Sequence, residues 1–205
     1  MYFVHILCVL FAVAELSLLT VFSSLYGGAA HIVGFTVFGS FLVLFYLFKT
    51  LYCLHHNCSI RGPFFRKMDH IMLYILLGAT YTPVPLLLPN RAMAWSIFGV
   101  AWGIVFISII LETFSTLRMK WITLSLYIEY LILDIIAFKT VHAFLTEPAL
   151  TWFFIGGMAY MTATALIVFR PHLRFLQYFE THENLALFLI AFGSFAHFWA
   201  LLKVL

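Results

Sequence analysis

Seven long apolar runs separated by short polar breaks constrain this chain more than anything else in it. Lipid offers no hydrogen bonds to a backbone, so a spanning segment must satisfy its own as a helix of about 20 mostly apolar residues, or as a strand of a closed barrel. Seven windows have the helical length: residues 3–24, 31–54, 69–88, 92–111, 121–138, 150–169 and 184–203. Between them fall Gly27-Gly28, the polar run His55 to Lys67, Pro89-Asn90, Glu112 to Lys120, Glu147-Pro148 and Arg170 to His182. The pattern predicts an all-α fold, a seven-transmembrane helix bundle forming a single transmembrane domain over residues 1–205.

Composition closes the soluble alternative. Hydrophobic residues make up 64% of the chain and charged residues only 9%, against about 25% charged in soluble domains. A net charge of +3, scattered along the chain, gives no electrostatic footprint for nucleic acid. Cys8, Cys53 and Cys58 form no paired framework and no CxxC site. The first window has no Lys or Arg at its start and outruns the roughly 7–15-residue apolar core of a signal peptide, so it reads as a span.

Orientation follows from Lys and Arg near the ends of the spans. The side shared by the N-terminus and the breaks after the second, fourth and sixth windows holds Arg61, Arg66, Lys67, Arg118, Lys120, Arg170 and Arg174. The other side holds Arg91, Lys139 and Lys203. The bias predicts a cytoplasmic N-terminus and an outside C-terminus, inverted relative to G-protein-coupled receptors. Arg61, Arg66 and Lys67 serve that topology and meet anionic headgroups; His55, His56 and His172 read as interfacial loop histidines.

Polar groups inside the windows come next, because a charge near the middle of a membrane helix costs roughly 2.5–3.5 kcal/mol on insertion scales. Glu15, Lys49, Glu129 and Asp134 lie in the windows, Asp69 and Glu183 near helix starts, and His5, His31, His70 and His197 join them. Glu15, Glu129 and Asp134 read as interior packing residues without a nameable partner. Gly99 and Gly103, with Ser96 nearby, form a GxxxG spacing expected to serve packing within the chain. Thr80-Tyr81-Thr82-Pro83 with Pro85 should kink the third helix, the threonine hydroxyls taking up freed carbonyls.

Several of these runs resemble one family. Met68-Asp69-His70-Ile71 through Thr80-Tyr81-Thr82-Pro83 is similar to the third-helix signature of the hemolysin III family, which belongs with the progestin and adiponectin receptors. His31-Ile32-Val33-Gly34-Phe35-Thr36, with Tyr46-Leu47 and Thr50-Leu51-Tyr52, resembles its second helix. Gly156-Gly157-Met158-Ala159-Tyr160 resembles the sixth, Gly193-Ser194 with His197-Phe198 the seventh, and His5 fits a histidine early in the first. The resemblance implies a zinc site near the cytoplasmic side, built from SxxxH on the second helix, Asp on the third and HxxxH on the seventh. It also implies that zinc-activated water could hydrolyse ceramide-like lipid amides.

This chain departs from that ligand set. Aligned on Thr50-Leu51-Tyr52, the family serine falls on Lys49 and its histidine on Cys53. Aligned on His197-Phe198, the helix-7 histidines fall on Glu183 and Leu187. Asp69 alone keeps its place, with His197 deeper in the last helix. A Lys49 ammonium between Asp69 and Glu183 would neutralise the pocket without metal, leaving Lys49, Cys53, Asp69, Glu183 and His197 around a degenerate zinc site. The alternative is a remodelled metal site using Cys53, Glu183 and neighbouring His182, His55 or His56. The expected function is a metal-free, lipid-binding or sensor-like module in a bacterial inner (plasma) membrane, with membrane lipids as partners. A zinc-dependent, ceramidase-like hydrolase and a pore-forming cytolysin are the alternatives.

Overall fold

The computed structural model describes residues 2–55, 62–114, 119–169 and 182–205, without the side chains of residues 2, 3, 119, 120, 168, 169, 182 and 183. The described residues form eight helices: α1 Tyr2–Tyr26, α2 Ala29–His55, α3 Gly62–Tyr81, α4 Pro83–Leu87, α5 Arg91–Phe114, α6 Met119–Phe144, α7 Glu147–Phe169 and α8 His182–Leu202. Counting α3 and α4 as one, seven spans among the described residues are long and apolar enough to cross a membrane. The chain divides into two compact units, Met1–Phe144 with Leu205, and Leu145–Val204.

Local chemistry sets the helix ends. A Cβ on Gly27 would lie 2.7 Å from His31 Cβ and 2.8 Å from the Ser23 carbonyl, so only glycine fits the α1–α2 turn. The Gly28 N–H donates to His31 Nδ1 at 3.1 Å, which gives one orphan donor at the start of α2 a partner. Asn90 Oδ1 accepts from Met93 N at 3.2 Å to cap α5. Thr146 Oγ1 accepts from Ala149 N at 3.4 Å, and Glu147 puts an acid in the first turn of α7.

The third span breaks where the prolines require it. Pro83 and Pro85 cannot donate to carbonyls a turn earlier, and the helix interrupts at Thr82. Thr80 Oγ1 donates to Leu76 O at 2.8 Å and Thr82 Oγ1 to Gly78 O at 3.0 Å, not to the Ala79 and Tyr81 carbonyls that the prolines leave open; Ala79 O instead accepts from Thr82 N at 3.1 Å. Trp102 Nε1 donates to Thr82 Oγ1 at 3.1 Å and ties the break to α5.

In the first unit α2 packs on α1, α3 and α4, α3 on α5, and α5 on α6. The core runs through Phe35, Phe38, Leu42, Phe45 and Tyr46 of α2 and Tyr74 and Leu76 of α3. Close approach depends on missing side chains: a Cβ on Gly39 would meet Leu16 at 2.7 Å, on Gly34 the Pro83 Cα at 2.8 Å, and on Gly78 Val105 at 2.7 Å. Large apolar side chains such as Phe106, Ile135 and Ile136 face outward, more than half exposed, as they should where the solvent is lipid.

The second unit is the α7–α8 pair. A Cβ on Gly156 would lie 2.8 Å from the His197 ring, and one on Gly193 would lie 2.6 Å from the Tyr160 ring. His197, buried, lies 5.4 Å from Phe153 and 5.2 Å from Tyr160 between ring centroids. The glycines of the sixth- and seventh-span motifs therefore make room for rings from the facing helix.

Candidate functional site

The site starts from a cation where lipid would reject one. Lys49 lies in the C-terminal part of α2, Asp69 in the first half of α3, and these helices pack together. Lys49 Nζ donates to Asp69 Oδ2 at 2.9 Å, with side chains only 13% and 7% exposed. Lys49 also sits over the Tyr52 ring, its Nζ 5.8 Å from the centroid. Cys53, buried, is one turn further along α2, on the helix face that Lys49 occupies. Asp69 Oδ1 is buried without a hydrogen-bond donor among the described residues.

The structure thus joins Lys49 to Asp69, as expected, and puts Cys53 on the same helix face. Glu183 and His197 belong to the second unit. The Glu183 and His182 side chains lie outside the described residues, as do His56, Cys58, Arg61 and His172. His197 packs among Phe153 and Tyr160, and Leu187 is 1% exposed within α8. His55 Nδ1 lies 2.9 Å from its own helix's Leu51 carbonyl, and its ring stacks 4.7 Å from Phe65.

A second polar centre was not read from the sequence. His70 Nδ1 lies 3.1 Å from Glu112 Oε1, the Tyr74 hydroxyl donates to Glu112 Oε2 at 3.1 Å, and Tyr74 OH lies 3.3 Å from Thr123 Oγ1. One carboxylate therefore links α3, α5 and, through Tyr74, α6. The sequence pattern places Glu112 in a connecting stretch, whereas it sits in the last turn of α5. The available signal was His70 and Tyr74, four apart and so on one face of α3. Asp134, for which no partner could be named, accepts from the Tyr81 hydroxyl at 2.5 Å. Glu15 is 2% exposed, and neither of its oxygens has a hydrogen-bond partner among the described residues.

The Haemolysin-III related family profile matches residues 2–198. This chain belongs to that family. It is 28% identical to the "Hemolysin-3 homolog" of Bacillus subtilis (strain 168) over 167 residues, covering 81% of this chain and 78% of the relative. It is 29% identical to "Hemolysin-3" of Bacillus cereus over 156 residues, covering 76% and 71%. No solved structure matches. The seven apolar helices and these bacterial relatives make the chain a multi-pass integral membrane protein, and they fit the bacterial plasma membrane expected from its sequence.

The zinc that a hemolysin III fold implies does not fit the residues at this position. Zinc takes thiolate, imidazole or carboxylate donors, and an ammonium at Lys49 supplies none while holding the carboxylate of Asp69. At 4 Å the ammonium would repel a dication by roughly 8 kcal/mol at an effective dielectric near 20. No group of three His, Cys, Asp or Glu side chains able to hold a metal occurs among the described residues.

Proposed function

We propose that this protein is a metal-free hemolysin III family member in which the Lys49–Asp69 pair stands where the family's metal would lie. On this reading the protein is a lipid-binding, sensor-like membrane module. The single observation that carries it is the 2.9 Å contact between Lys49 Nζ and Asp69 Oδ2, nearly buried. A cation matched to a carboxylate makes the pocket neutral, and it joins α2 to α3 as a shared metal would. A hydrolase reading weakens with the metal, since neither Asp69 nor buried Cys53 supplies a Lewis acid to activate water.

The test is the lipid that travels with the protein. After gentle extraction, lipid mass spectrometry should find one species enriched over the bulk membrane, and less of it with the Lys49→Met/Asp69→Leu double variant. Bound lipid that mirrors the bulk membrane in both proteins would contradict the module. The names of the two Bacillus relatives favour a second reading, a pore-forming cytolysin. Release of a trapped dye from vesicles carrying the purified protein would move that reading to first place.

A further inference from the structure

Three carboxyl side chains lie well inside the spans of the first unit, and their surroundings differ. Asp134 is met by the Tyr81 hydroxyl. Glu15 is sealed inside. Glu129, in the first half of α6, is exposed, and no hydrogen bond or ion pair reaches it among the described residues. It opens into a groove of about 360 Å³ between α5 and α6, walled by Ser96, Val100 and Ile104 on one side and Ile132 and Ile136 on the other. Beside that groove a Cβ on Gly99 or Gly103 would meet nothing within 4 Å, so the close packing expected of the GxxxG spacing is not seen among the described residues.

A carboxylate facing hydrocarbon calls for a cation, and this groove offers none of its own. Its volume is at the small end of ligand pockets, which hold roughly 300–1,000 Å³, so it suits one alkyl chain better than a two-chain phospholipid. We propose that the α5–α6 groove binds a cationic amphiphile, an alkyl chain ending in a primary amine, whose ammonium pairs with the Glu129 carboxylate. A primary ammonium is a compact charge with three donors, while Val100, Ile104, Ile132 and Ile136 give the chain an apolar bed. A second copy of the protein fits less well. The only Lys or Arg in α5 is Arg91, its first residue, so an α5–α5 contact would bring no cation to the depth of Glu129. The site is separate from Lys49 and Asp69 and stands whether or not the pair has replaced a metal.

The full chain in phosphatidylcholine nanodiscs can be photolabelled with a diazirine-bearing octadecylamine and with the matching octadecanol, and the attachment sites read by peptide mass spectrometry. The amine should label α5 and α6 about tenfold more than the alcohol does, and Glu129→Gln should abolish that preference. Val100→Trp, which fills the groove and leaves the carboxylate, should cut the amine label to the level of other lipid-facing helices. Equal labelling by amine and alcohol, or a preference that survives Glu129→Gln, would overturn the site. So would a Gly99→Cys variant that oxidises fully to a disulfide-linked dimer while the amine leaves the groove unlabelled, because a second copy would then be the occupant.

Discussion

The two units hold their helices together by different means. Within Met1–Phe144, polar ties cross between helices: Lys49 to Asp69, Glu112 to His70 and Tyr74, Tyr81 to Asp134, and Trp102 to Thr82. Within Leu145–Val204, glycines meet rings, with Gly156 under His197 and Gly193 against Tyr160. Hydrophobic burial does not drive helix association in lipid, leaving close packing and hydrogen bonds to do it. The α7–α8 pair displays the first at Gly156 and Gly193. The α2–α3–α5–α6 assembly displays the second, in the ties that gather its ionisable groups.

The largest effect should come from splitting the ion pair. Lys49→Ala leaves the Asp69 carboxylate buried and uncompensated, a loss of about 3–5 kcal/mol. Unfolding in mixed micelles followed by tryptophan fluorescence would measure it. Lys49→Met/Asp69→Leu should recover most of the loss, because replacing a whole buried pair with apolar residues is often neutral. A double variant no better than the single one would mean that the pair is not a closed unit.

Smaller effects are expected from crowding α7 and α8. Gly156→Ala or Gly193→Ala forces a ring to move and should cost about 1–3 kcal/mol. Gly157→Ala and Gly99→Ala, where a Cβ meets nothing within 4 Å, should be close to neutral in the same unfolding assay. If all four variants behave alike, glycine approach is not what holds the second unit.

The weakest ties in the first unit should be the neutral-donor ones. Tyr81→Phe, which removes the donor to Asp134, should cost about 0.6 kcal/mol, the typical worth of an interhelical hydrogen bond in a membrane. Glu112→Gln should cost more than Tyr81→Phe, because it takes the charge from both His70 and Tyr74. The reverse order would show that the α3–α5 link is incidental.

Much of the fold was legible because lipid imposes a simple rule on length and polarity, and the seven windows fall within the observed helices, α3 and α4 taken as one, to within a residue. Where the boundaries moved, polarity had hidden helix. α3 begins at Gly62 rather than near 69, since Gly-Pro-Phe-Phe-Arg-Lys-Met is too charged to read as a span although Pro63 suits a helix start. α6 likewise runs on to Phe144 past Lys139 and His142. The Lys49–Asp69 contact could be anticipated because a buried cation needs an anion and the family alignment put one opposite. The Glu112 centre could not be, because a carboxylate at a helix end looks like loop until its neighbours from α3 are in place. The Gly99–Gly103 spacing identified a face suited to close approach, but spacing alone does not say what approaches it.

The central claim is that an ammonium has replaced a metal. Elemental mass spectrometry of the detergent-purified protein, grown with added zinc, tests it most directly, with Asp69→Ala as the companion. The account predicts metal at background in both proteins. About one zinc per chain, lost in Asp69→Ala, would contradict it and return a metal-dependent hydrolase to first place.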